Sequence, residues 1–215
     1  MKIKLLSITL LTIGLLSCGG TKDSASEETV VEEKADMSLV SYVHGVMFSR
    51  QLKNQRLPFI NPEDLIKDFS GFKENGIGEF NANDAIAQLR EMAQRTENFA
   101  TIEGADLENA KSIFSKLYFD DIKQSPIAKD IVFEKFEDGM LDFWNDGKTP
   151  SQDSIDIFTD YMRNAVIKIG DTFLSENSKN EGVEVTASGL QYEVLQEGYG
   201  ERPVDTSKVL AHYEG

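Results

Sequence analysis

The sequence predicts a mainly α chain: a helical N-terminal bundle that passes into a few β-strands near its C-terminal end. Three observations carry this. Between residues 38 and 180 apolar residues recur three and four apart, the spacing that lines one face of an α-helix. After Gly182 the spacing changes to alternation, the mark of strands. Hydrophobic residues make up 40% of the 215, enough for the core of one or two domains.

The first 36 residues stand outside that pattern. Residues 1–4 are basic, and residues 5–16 form an apolar run. That run is about 12 residues long, short of the roughly 20 that cross a bilayer but right for the apolar part of a signal peptide. It ends in Leu15-Leu16-Ser17-Cys18-Gly19-Gly20, a small residue before the chain's single cysteine, which resembles a bacterial lipobox. By that resemblance residues 1–17 are a lipoprotein signal peptide and Cys18 carries lipid; the alternative is an ordinary signal peptide with an incidental cysteine. Acyl chains, at about 0.8 kcal/mol per buried methylene, hold a soluble domain on a membrane. Residues 18–36 are expected to be a disordered acidic tether, because residues 21–36 hold six acids, two lysines and no aromatic residue.

Charge narrows the function classes. The net charge is −15, and about −17 once two signal-peptide lysines are removed, which argues against nucleic acid as a partner. One cysteine excludes a disulfide framework, and two distant histidines, His44 and His212, leave little for a metal centre. No cofactor is expected.

The helices follow in order. Leu39, Val40, Tyr42, Val43, Val46, Met47 and Leu52 make the first stripe. Asn61-Pro62-Glu63-Asp64 is a strong helix start: a capping Asn, Pro at the first helical position, then acids at the positive end of the helix dipole. Leu65, Ile66, Phe69 and Phe72 form its buried face, and Gly76 stops it. A third helix carries Ala85, Ile86, Leu89, Met92 and Ala93, and a fourth carries Leu107, Ala110, Ile113, Phe114, Leu117 and Tyr118. Residues 131–147 then resemble residues 65–76, an aromatic helix with an internal glycine and a glycine stop. Residues 83–89 align with 152–158, which keeps an offset of 68 to 69 residues and predicts a duplicated helical hairpin. The aromatic and Met residues, Trp144 included, read as core. The last helix is long: residues 151–180 contain no Pro and one Gly, with Ile155, Phe158, Met162, Ala165, Val166, Ile169, Phe173 and Leu174 along one side. At 1.5 Å per residue that is about 45 Å, a length that bridges domains or pairs with another chain.

In the tail, Leu190, Tyr192 and Val194 point one way, a turn follows at residues 197–200, and Val209, Ala211 and Tyr213 repeat the alternation. Ala187-Ser188-Gly189-Leu190-Gln191-Tyr192-Glu193-Val194-Leu195, then Gly198-Tyr199-Gly200 and Pro203, then Val209-Leu210-Ala211-His212-Tyr213-Glu214-Gly215, resembles the start of an FKBP-type peptidyl-prolyl isomerase domain. The lead-in Gly170-Asp171-Thr172-Phe173-Leu174-Ser175-Glu176-Asn177 with Lys179 and Gly182-Val183 is similar to the helix before that domain in the Mip-like bacterial branch. Ser41-Tyr42-Val43-His44-Gly45-Val46 likewise resembles the opening of that branch's helical domain.

The resemblance implies a helical dimerisation and chaperone-like domain over residues 37–180, and the first strands of an α+β FKBP-like half-barrel over 181–215. It implies exchange of the bond before proline without metal or cofactor. That barrier is about 18–20 kcal/mol because rotation breaks amide resonance. An apolar cleft lowers it by desolvating the carbonyl and favouring the twisted amide. Tyr213 matches a residue lining that cleft; the family's other cleft residues have no match, so the 215 residues are expected to lack the activity that the whole protein has. Implied partners are proline-containing client polypeptides, a second copy, and a membrane through Cys18. The implied place is the bacterial cell envelope, lipid-anchored at the outer membrane and facing the periplasm or the cell surface. The competing reading is a noncatalytic lipoprotein scaffold with vestigial strands. A hydrolase using Asp120 and Asp121 is weaker still, because adjacent helical acids do not face one another.

Overall fold

The computed structural model describes residues 35–95 and 102–212, which fall into two compact units dividing after Val166. Among the described residues there are six α-helices and two short strands, so the chain is mainly α as its periodicity predicts.

Helix α1, Met37–Gln55, begins where Asp36 accepts a hydrogen bond from the Ser38 N–H at 2.9 Å. Helix α2, Pro62–Asn75, starts as its sequence dictates: Asn61 accepts from the Asp64 N–H at 2.8 Å, Pro62 opens the first turn, and Gly76 closes the last. Asn81 caps α3, Ala82–Arg95, by accepting from Asn83 and Asp84. Helix α4 spans Gly104–Gln124 and α5 spans Phe133–Asp146. Gly147 ends α5 at φ 67°, a left-handed value that glycine adopts without a Cβ penalty. Helix α6 runs Gln152–Asn177, slightly shorter than expected.

Most of the core of the first unit lies between α1, α2, α4 and α5. Phe48 on α1 is its centre, with Phe69 at 6.3 Å, Tyr118 at 5.6 Å and Phe136 at 5.5 Å between ring centroids. Leu65, Phe69, Leu89, Phe114 and Phe136 are all essentially inaccessible. Each such side chain contributes about 1.5–3 kcal/mol by leaving water. A smaller cluster joins Val40, Ile127 and Met162, with Phe158 and Tyr161 against it.

Pairing within the bundle corrects one expectation. The duplicated hairpins would set α2 on α3 and α5 on α6. Instead α1 packs on α5 as the dominant pair, α2 lies against α4 and α5, and α3 against α4. The sequence likeness of residues 65–76 and 131–147 is therefore a likeness of amphipathic pattern, not of packing partner.

In the second unit, β1 (Val183–Val185) and β2 (Gln191–Glu193) form an antiparallel hairpin with Glu184 opposite Tyr192. Its turn is closed by the Thr186 N–H on the Leu190 carbonyl at 2.9 Å, with Gly189 at φ 86°. The alternation at 209–212 forms no strand: these residues are irregular and exposed, Val209 at 69%. A strand needs a neighbour to bond, and no described strand lies beside them.

Candidate functional site

Tyr213 and Cys18 lie outside the described residues. What the structure brings together is, in the second unit, the hairpin on the end of α6 and, in the first, a tight seam between α1 and α5.

The hairpin is anchored through one side chain. Gln191 donates to the Leu174 carbonyl at 2.8 Å and accepts from Asn177 at 2.9 Å, tying β2 to the last turn of α6. Tyr192 donates to Glu184 across the strands, and that carboxylate raises the phenol's pKa. Leu190, Val194 and Leu195 stay 63%, 51% and 88% exposed, so the two strands enclose no cleft.

The seam follows from small residues. Ser41, Gly45 and Ser49 recur every four positions on α1, a buried row that lets another helix approach. A methyl group on Gly45 would lie 1.9 Å from the Phe136 carbonyl oxygen, and one on Gly139 would lie 2.1 Å from the Tyr42 carbonyl oxygen. The two backbones touch, each glycine facing the other helix. Polar bonds tie the edges. Ser41 Oγ accepts from the Val132 N–H at 2.9 Å, satisfying one of the free donors at the start of α5. Tyr42 donates to Asp142 at 3.0 Å, and Lys148 donates to the other oxygen of that carboxylate at 2.9 Å. Asp142 is held below its ordinary pKa first by Lys148 and then by Tyr42, whereas Tyr42 is raised by burial and by Asp142. Lys53 donates to the Trp144 carbonyl at 3.3 Å and lies 5.5 Å from its ring centre.

His44 sits inside this seam. It is 3% exposed, edge-on to Phe136 at 5.2 Å and 5.7 Å from Phe158 on α6. Its Nδ1 is buried without a hydrogen-bond partner among the described residues, and burial lowers its pKa to about 4. Periodicity places His44 on the helix but gives no sign of this. The signal that would have found the seam is the four-residue spacing of Ser41, Gly45 and Ser49 together with the glycine inside α5.

Asp120 and Asp121 do not form an acid–base pair. Asp120 accepts from Gln124 at 2.6 Å, while Asp121 is half-buried and raised by desolvation, then by Asp120. Among the described residues no group of three or more His, Cys, Asp or Glu is placed to hold a metal ion, and no helix is long and apolar enough to cross a membrane.

Comparison with known proteins adds the following. Residues 123–194 match the family described as the domain amino terminal to FKBP-type peptidyl-prolyl isomerase. The chain is 48% identical over 46 residues to the FKBP-type 22 kDa peptidyl-prolyl cis-trans isomerase of Escherichia coli, which is 21% of this chain and 22% of that protein. It is 48% identical over 48 residues to the FKBP-type peptidyl-prolyl cis-trans isomerase FkpA of Aeromonas hydrophila, 22% of this chain and 18% of that one. The peptidyl-prolyl cis-trans isomerase Mip of Coxiella burnetii is 46% identical over 43 residues, 20% of this chain and 19% of that protein. The chain thus covers about a fifth of the length of these curated relatives, which are bacterial proteins. No solved structure matches it. The matched stretch runs from the end of α4 through α5 and α6 to the hairpin, and over it the chain is similar to the domain that stands amino terminal to FKBP-type peptidyl-prolyl isomerase.

Proposed function

We propose that this chain is the helical, membrane-tethered part of a bacterial peptidyl-prolyl isomerase that assists protein folding in the cell envelope. The observation that carries the reading is the family match over residues 123–194, which runs without a break into the β1–β2 hairpin. Lipid on Cys18 anchors it at the outer membrane, the helical region binds proline-containing clients and pairs with a second copy, and Tyr213 lines the cleft that twists the prolyl amide. Proline exchange is slow unaided, tens to hundreds of seconds, so a catalyst of this step relieves a real delay in folding.

The two described strands leave Leu190, Val194 and Leu195 open to water, so we assign the cleft to a β-domain with more strands than these and expect no turnover from the 215 residues by themselves. A protease-coupled proline-peptide assay on the 215 residues and on the product of the whole gene tests both statements. Acceleration by the gene product alone is expected. Turnover by the 215 residues overturns the assignment of the cleft, and inactivity of both leaves the scaffold reading. Anchoring is tested by Cys18→Ser, which should move the protein from the membrane to the soluble fraction.

A further inference from the structure

The seam between α1, α5 and α6 is apolar, tightly fitted and holds a titratable ring. We propose that His44 makes this seam an acid-opened joint: protonation of the imidazole drives α1 away from Phe136 and Phe158 and uncovers the apolar faces that the seam hides. The inference rests on the seam alone and stands whether or not the isomerase reading holds.

The geometry gives the buried Nδ1 of a charged ring no partner among the described residues. Nδ1 is buried without an acceptor, and the neighbours above and beside the ring are Phe136 and Phe158. Gly45, the next residue on α1, sets the helix backbone against the Phe136 carbonyl, so the seam that holds the ring is closely fitted. No charged group answers it. On α5, Lys135 is paired with Asp138 at 2.8 Å, and Glu137 interacts with Lys73, Asp138 and Glu134. On α6, Asp156 accepts from Gln152 and Asp160 is paired with Arg163. Before α5, Asp130 accepts from Tyr161. On α1 itself, Arg50 and Lys53 lie over Phe143 and Trp144. None of these shifts His44, on which burial alone acts.

The direction follows. A ring that binds its proton at the ordinary 6.5 when released and only at about 4 when enclosed is bound preferentially by the open form in between. Above pH 6.5 the joint is closed and pH-independent. As pH falls, the open form gains roughly tenfold per unit on the closed one, reaching about 150-fold at pH 4 and levelling off near 300-fold about one unit lower. Opening exposes Val40, Val43, Phe136 and Met140, a surface suited to apolar stretches of non-native chains.

The test is amide hydrogen exchange and hydrophobic-dye binding of the full chain from pH 7.5 to 4, for the parent, His44→Phe and His44→Leu. The parent should show exchange in α1 and α5 accelerating, relative to the intrinsic rate, by about a hundredfold between pH 7.5 and 4, and dye binding rising with it. Both variants should lose that dependence. Equal acid response in parent and variants, or none in the parent, overturns the proposal. Should the variants fail to fold, an NMR titration of the His44 ring decides. A ring that titrates near 6.5 with the seam still closed refutes the joint; one protonated only near pH 4, together with opening, supports it.

Discussion

Replacing Gly139 by alanine separates two forces of opposite sign. In a helix the change is ordinarily favourable, by about 0.8–1.0 kcal/mol, because alanine loses less conformational freedom than glycine. Here the new methyl carbon would lie 2.1 Å from the Tyr42 carbonyl oxygen and 3.0 Å from Val46 N. Both are backbone atoms of α1, so no flexible side chain can move aside. The helices must part by about 1 Å to restore even a tight contact. A gap of 0.5–1 Å forfeits about a quarter to a half of each dispersion contact it opens, and overpacking of this kind costs about 1–3 kcal/mol. The Ser41–Val132, Tyr42–Asp142 and Lys53–Trp144 bonds cross the same seam and stretch together. A net loss of about 2 kcal/mol is expected for Gly139→Ala, and the same sign for Gly45→Ala. Urea unfolding followed by helix circular dichroism measures it, with the midpoint falling and the slope unchanged. Gly170→Ala is the control: it lies on α6 with no atom within 4 Å of the new methyl, so it should gain up to about 1 kcal/mol. Gly139→Ala as stable as the parent would refute the argument from close backbone contact.

Two further outcomes rest on other parts of the structure. Ser41→Ala leaves the Val132 N–H without its acceptor and should lower stability by about 1 kcal/mol in the same unfolding assay; no loss would mean that water replaces the hydroxyl freely. Helix α6 exposes Ile167, Ile169 and Phe173 at 52%, 55% and 62%. If a second copy covers this stripe, sedimentation should find a dimer that Phe173→Asp converts to monomer. A parent chain sedimenting as monomer removes that reading.

What could be read from the residues divides along physical lines. Local features were legible because their causes are local. Asn61, Pro62 and Gly76 bound α2 where their hydrogen-bonding and dihedral preferences put them. Leu65, Phe69, Leu89 and Phe114 are buried because helical spacing stacks them on one face. The strand at Gln191–Glu193 follows from alternation. Pairing was not legible, since which helix α1 meets depends on shape matching between residues about 90 positions apart, and periodicity carries none of that. The offset between residues 65–76 and 131–147 suggested repeated hairpins, yet Gly45 and Gly139 select α5 for α1 instead. Alternation at 209–212 failed for a related reason: a two-residue period states which face a strand would show, not whether a bonding neighbour exists. The candidate site divides the same way. Gln191 and Tyr192 lie in a motif visible in the sequence, whereas burial of His44 becomes evident only once Phe136 and Phe158 are set around it.

The distance along the chain between α1 and α5 has a consequence for biosynthesis. Tyr42 and Asp142 are 100 residues apart, and Ser41 and Val132 are 91 apart. At roughly 5–20 residues per second, the leading helix emerges from the ribosome about 5–20 s before the segment that covers it does. Through that interval its greasy row, Val40, Val43, Val46 and Phe48, has only water or a holding factor for company. A protein matched to catalysts of folding is thus, during its own synthesis, a polypeptide in need of escort.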